Sequence, residues 1–289
     1  MLKIIVKKDI EKDIALIKRE LFDGGENYRQ RILSYYKTLA EEIKNKSREE
    51  AEEIADNFFR RQYHKMAEDI DEIVKESQEI LEDRSEACLN KLVELMDYKI
   101  KRDEEFVVIP TLLPYSPFHR PTVYFSLITR LYLGRGNMIL DIAIHEISHF
   151  LFFDILNEIG ADIIKIEPKE FGFWYLFKEA LTGMLLSEKE LEDLLERKGY
   201  KGNPEVENLS VQKEGSADKI TLREYLRERL NDHKQNGSCF NSFIKEIISE
   251  LRPQVEAFEA KNNFWVKNEE EIKKWNQDLI REYEEPILI

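Results

Sequence analysis

Residues 138–157 read MILDIAIHEISHFLFFDILN. Apolar side chains fill most positions and neither Gly nor Pro interrupts, so the stretch reads as a mostly buried helix. Within it stands His145-Glu146-Ile147-Ser148-His149, an HExxH sequence. Two His at i and i+4 share one helix face, one turn apart. Their imidazoles can converge on one Zn²⁺ with bonds of about 2.0–2.1 Å. Ile142, Ala143 and Ile144 precede the pair, and Phe150, Leu151, Phe152 and Phe153 follow it. A surface helix would carry charges at several of these positions. A buried one must satisfy two His and a Glu, because unpaired buried polar groups cost on the order of several kcal/mol. A metal ion does this. Glu146, beside the first His, can then act as general base toward a water whose pKa zinc lowers to about 7.

A zinc hydrolase needs a third protein ligand and an open fourth position. The remaining His are His64, His119 and His233, and no Cys is near. Glu179, in FWYLFKEALT (residues 173–182), is the leading candidate. Its helix follows the His helix after a short connection through Gly160 and Pro168, which permits antiparallel packing. Packed helices lie about 8–10 Å apart, within reach of one Glu side chain. Tyr175, Leu176, Glu179 and Gly183 share a face. Glu158, Glu167 and Glu170 are the alternatives, and Glu170 lies roughly 13 Å further along the axis.

With these residues the sequence resembles the zincin metallopeptidases, and more narrowly the gluzincins. The resemblance covers about 65 residues: Thr122–Leu133, Met138–Asn157 and Glu170–Leu186 match the order of edge strand, HExxH helix and Glu-bearing helix. It implies peptide-bond hydrolysis, with His145, His149 and Glu179 as zinc ligands, Glu146 as general base, and an edge strand that holds extended substrate. Many gluzincins place an Asp four residues after the ligand Glu to hold the first His; Gly183 stands there. Asp141, one turn before His145, is either a substitute for that Asp or an acid favoured by the helix N-terminus; we favour the second. Tyr175, Tyr225 and His233 are candidate donors for transition-state stabilisation.

Outward from this core, Phe106–Leu113 is apolar and β-branched, and Pro110 within it predicts an edge strand or loop. Thr122–Leu133 reads as one strand or two, and Gly134–Asn137 as a turn. Leu2–Val6 is strand-like. From Glu26 to about Ile100 there is no Gly or Pro, and Ala51, Ile54, Ala55, Phe58, Tyr63 and Met66 recur at helical steps. Ser47 with Glu50 predicts a capping box opening a helix, one helix ends near Asn45, and Ser85 is a candidate start of another. This region reads as a charged helical hairpin or arm. After the Glu179 helix, 189–197 is amphipathic, 199–219 is a polar loop, Thr221 with Glu224 predicts a second capping box, and the remainder is helical with interruptions at Gly237 and Pro253.

The expected architecture is therefore α+β and predominantly α. An N-terminal helical arm spans 1–105, a zincin-like catalytic unit with a small edge sheet 106–198, and a helical region 199–289. The chain of 289 residues carries 44 Lys and Arg against 58 Asp and Glu, a net charge of −14. Such a surface repels nucleic acid and anionic lipid, so neither is an expected partner. No membrane span or secretory signal is read, and Cys88 and Cys239 stand far apart, which together lead us to expect a cytoplasmic protein. The expected partner is a peptide or protein substrate, with self-association or partner binding possible through the helical arm. The other reading is an interaction or regulatory protein with a structural or degenerate zinc site.

Overall fold

Strand β1 (Leu2–Val6) buries Leu2 and Ile4 and exposes Lys3, the alternation of a half-covered strand. Helices α1 (Ile10–Phe22), α2 (Glu26–Tyr35), α3 (Lys37–Ile43), α4 (Arg48–Lys65) and α5 (Ala67–Leu95) follow, then β2 (Glu104–Thr111), β3 (Phe118–His119) and β4 (Thr122–Ser126). Next come α6 (Met138–Ile159), α7 (Phe173–Leu186), α8 (Lys189–Leu194), β5 (Ser210–Gln212), β6 (Lys219–Thr221), α9 (Leu222–Gln235), α10 (Phe240–Leu251), a 3₁₀ turn (Arg252–Gln254) and α11 (Val255–Lys261). This computed structural model describes residues 1–128, 138–160, 172–196, 206, 209–212 and 219–261. The architecture is α+β and predominantly α, with a small mixed sheet. Among the described residues no helix is long and apolar enough to cross a membrane.

The chain divides into two compact units. Among the described residues, the first contains Leu2–Glu86 and Glu104–Ala143; the second contains Ala87–Asp103 and those from Ile144 to Lys261. In the first, the four strands run in the order β1-β2-β4-β3, with β1, β2 and β4 parallel and β3 antiparallel to β4.

Several expectations are corrected here. Strand β2 is central rather than an edge, although it contains Pro110. Val107 N–H bonds toward β4, to Pro121, and Val108 C=O accepts from Lys7 on the β1 side. By alternation the missing N–H of Pro110 faces the β1 side, where pairing has already ended at Val108, so no ladder bond is lost. Strand β4 is not an open edge. Tyr124 N–H bonds Pro117 C=O at 2.8 Å and Ser126 N–H bonds Ser116 Oγ at 3.1 Å, so the segment leading into β3 occupies its outer side.

The helices read as an arm have their own core. Ile32, Leu39, Ala55 and Phe59 are fully buried, and Tyr36, Phe58 and Phe59 form an edge-to-face cluster. The Ser47–Glu50 capping box forms, with Glu50 N–H on Ser47 Oγ at 3.3 Å and Ser47 N–H on Glu50 Oε2 at 3.0 Å. Asn45 sits at φ 61 beyond the end of α3. Ser85 opens no helix: it lies inside the 29-residue α5, where nothing breaks the run of helix formers.

In the second unit the predicted Thr221–Glu224 box caps α9. The polar stretch 199–219 contains an unforeseen strand, since β5 pairs antiparallel with β6 and buries Val211. Helix α10 buries Phe240, Phe243, Ile244, Ile247, Ile248 and Leu251 at helical steps.

Candidate metal centre

Helix α6 holds the HExxH turn and α7 holds Glu179. Phe152 of α6 meets Phe177 of α7 with ring centroids 5.6 Å apart, and Phe177 stacks on Phe173 at 5.6 Å. Helix α9 packs against α7. These apolar contacts fix two helices that carry polar groups on their facing turns.

Among the described residues, one group of His, Cys, Asp or Glu side chains could hold a metal ion: His145, His149 and Glu179. The two Nε2 atoms lie 3.1 Å apart. Glu179 Oε2 is 3.3 Å from His145 Nε2, and Glu179 Oε1 is 3.4 Å from His149 Nε2. A tetrahedral ion with arms of about 2.0–2.1 Å spaces its ligand atoms about 3.3 Å apart. Each imidazole nitrogen faces a different Glu179 oxygen, and one ligand atom from each of the three side chains lies within 4.8 Å of the other two, close enough to share a single ion. His149 is fully buried, while the side chains of His145 and Glu179 are 15% and 11% exposed. The candidate group is therefore mostly buried but not sealed from solvent.

Glu146 is buried, and its Oε2 has no hydrogen-bond partner among the described residues; the nearest ring nitrogen, His149 Nε2, is 3.9 Å away. Burial pushes its pKa up to about 7, against the charges of His145 and Lys178. Burial pulls His149 down to about 3, with the Lys178 charge acting in the same direction. Burial also opposes the charged forms of Glu179 and His145. For Glu179, Lys178 and the two His prevail and hold the carboxyl well below its usual range. For His145, the hydrogen bond to Glu179 and the charges of Glu146 and Glu179 prevail and raise it. A neutral imidazole and an ionised carboxylate are the protonation states that metal binding requires.

The structure brings together the four residues singled out as His145, Glu146, His149 and Glu179. It separates others. Glu158 is exposed and pairs with Lys101 at 2.6 Å. Glu167 and Glu170 lie outside the described residues. His64 is exposed, and His119 is exposed on β3 beside Arg19. His233 Nε2 is 2.8 Å from Glu246, and Tyr225 donates to Glu250. Tyr175 lies under the Lys178 ammonium, 5.0 Å from its ring centroid. Asp141 is buried in the first turn of α6.

Three polar side chains at the site were not singled out from sequence. Lys178, buried, bonds Glu179 Oε1. Thr182 Oγ1 is 3.2 Å from His149 Nδ1, and Ser148 Oγ is 2.6 Å from Thr182 Oγ1. The available signal was polarity inside an apolar helix: Lys178 and Thr182 interrupt the run Phe173–Leu186 on either side of Glu179. In the first unit, the groove between α1 and α4 offers no comparable site. Its cations Lys18, Arg19, Arg48 and Arg60 are all paired, with Asp56, Glu20, Asp23 and Glu11 respectively. Comparison of the chain with family models, curated proteins and solved structures gave no match.

Proposed function

We propose that this chain is a zinc-dependent metallopeptidase, similar to the gluzincins, that hydrolyses bonds in a peptide or protein substrate. One observation carries the reading: the convergence of His145, His149 and Glu179, with one ligand atom of each within 4.8 Å of the others, beside a buried Glu146 oxygen without a hydrogen-bond partner among the described residues. The donor set of two imidazoles and a carboxylate suits zinc in a catalytic site. Bound there, zinc would supply Lewis acidity toward the scissile carbonyl and toward water.

The chain's own residues account for the proton traffic. Glu146 Oε2 is free to accept a proton from the attacking water. The same oxygen then gives that proton to the leaving amine nitrogen as the C–N bond breaks. A carboxyl group held near pKa 7 suits transfer in both directions at neutral pH. His149 and Glu179 hold their ligand forms without the ion, whereas His145, whose pKa is raised by Glu179 and Glu146, must release its proton to bind it.

The test is metal analysis of protein purified with zinc, followed by digestion of a mixed peptide library read by mass spectrometry. The expected result is about one zinc per chain and new peptide termini, both lost in His145→Ala and His149→Ala. Substoichiometric zinc in the wild type, unchanged in those variants, would overturn the proposal.

A further inference from the structure

We infer that Thr182 and Ser148 form a proton-ordered relay that fixes the tautomer of His149 and aims its Nε2 lone pair at the metal position. The inference rests on the reading of His149 as a ligand. Its direction follows from counting protons. Ser148 Oγ lies 2.6 Å from the His145 carbonyl oxygen, which can only accept, so Ser148 donates its single proton there. Ser148 Oγ is also 2.6 Å from Thr182 Oγ1, so in that contact Thr182 donates. The Thr182 proton is then used. Across the 3.2 Å contact between Thr182 Oγ1 and His149 Nδ1, the ring nitrogen must be the donor. A ligating imidazole is neutral and carries one proton. With that proton on Nδ1, Nε2 is left with its lone pair, on the side where His145 Nε2 and Glu179 Oε1 stand at 3.1 and 3.4 Å.

Burial makes this order robust. Ser148, His149 and Thr182 are 1%, 0% and 2% exposed, so solvent does not compete for these donors. The relay also spans the site. It starts at the carbonyl of the first His, crosses to α7, and returns to the ring of the second His. Thr182 lies three residues after Glu179, so one turn of α7 supplies both a ligand and the group that orients another ligand. The hydroxyl thus does for His149 what a carboxylate or carbonyl does behind most metal-binding His. Thr182 is a positioning residue, since it acts through His149.

The test uses the full chain and two readouts. Long-range ¹H–¹⁵N correlation spectra of the metal-free wild type should show His149 protonated at Nδ1. Zinc affinity, measured by competition with a chelating indicator, should fall about 10- to 100-fold in Thr182→Val and stay within about threefold in Thr182→Ser. Thr182→Val replaces the hydroxyl with a methyl, and its circular dichroism should match the wild type. His149 protonated at Nε2 in the wild type, or Thr182→Ser losing as much affinity as Thr182→Val, would overturn the relay. If the wild type binds no zinc, the metallopeptidase proposal fails, and the tautomer spectrum still decides the relay by itself.

Discussion

The Nε2 atoms of His145 and His149 lie 3.1 Å apart, and the two oxygens of Glu179 stand at 3.3 and 3.4 Å from them. Packing three ionisable groups this closely inside an apolar helix pair opposes folding unless positive charge is shared among them, and without a metal the buried Lys178 ammonium on Glu179 supplies part of it. If this group holds zinc, as proposed, binding has thermodynamic consequences.

Zinc should therefore stabilise the fold. A ligand at 100 times its Kd adds about 2.7 kcal/mol. For a chain of this size that raises Tm by about 4–5 °C. Calorimetric scans with zinc and with a chelator should differ by this amount in the wild type. The difference should vanish in Glu179→Ala, which removes the carboxylate. Equal melting with and without zinc would count against the site.

Glu146 should separate from the ligands by its behaviour. Glu146→Gln keeps the shape but cannot accept a proton, so the zinc content should stay near one per chain while peptide cleavage falls by about 100-fold or more. The side chain is buried and its Oε2 makes no hydrogen bond among the described residues, so the variant should fold normally. Loss of zinc from Glu146→Gln would mean that Glu146 is a ligand.

The legible part of this site was the part governed by helical periodicity. His145 and His149 fall on one face by their spacing alone, and Glu179 stands out as a carboxylate in an apolar helix. Thr182 and Ser148 were not legible, because a Thr or Ser in a buried helix usually has no role beyond filling space and bonding backward. Only the tertiary contact between α6 and α7 gives these hydroxyls a direction. In the fold, capping boxes at Ser47 and Thr221 marked helix starts correctly because the signal is local. Ser85 misled, since a lone Ser without a breaker nearby does not stop a helix. Pro110 misled for a different reason: its cost depends on where the neighbouring strand ends, which is a tertiary fact. The β5–β6 pair consists of three-residue strands, too short for alternation to register.

Phe177 joins the two site helices. It is fully buried, stacked on Phe173 and in contact with Phe152. Phe177→Ala should cost about 3–5 kcal/mol of stability in denaturant titration, through lost burial and the cavity left behind. Phe177→Leu should cost distinctly less, since most of the volume is kept. Zinc affinity should fall with Phe177→Ala, because α6 and α7 lose the contact that sets their spacing. Unchanged affinity in a folded Phe177→Ala protein would show that the ligand geometry is held elsewhere.

Asp13, in the first unit, should leave a signature in the pH dependence of stability. It is fully buried, accepts from Tyr63 Oη and from Leu112 N–H at 3.1 Å, and burial pushes its pKa from 3.8 up to about 6. The folded state therefore binds the Asp13 proton more tightly than the unfolded state does. Between about pH 4 and pH 6 the native chain holds more of that proton, so this group's contribution to stability falls as pH rises through the window and is level above it. Two pKa units correspond to about 3 kcal/mol. Asp13→Asn presents a neutral acceptor at every pH and removes the effect. Other carboxylates contribute with the opposite sign at lower pH, among them Glu11 and Asp56, whose pKa values are lowered from 4.5 and 3.8. The informative quantity is therefore the difference between variant and wild type. Urea titrations from pH 4 to pH 7 should show Asp13→Asn gaining about 3 kcal/mol relative to the wild type across that range. Parallel stability profiles for the two proteins would mean that Asp13 is ionised in the folded state at no net cost, with Tyr63 and Leu112 compensating fully for its burial.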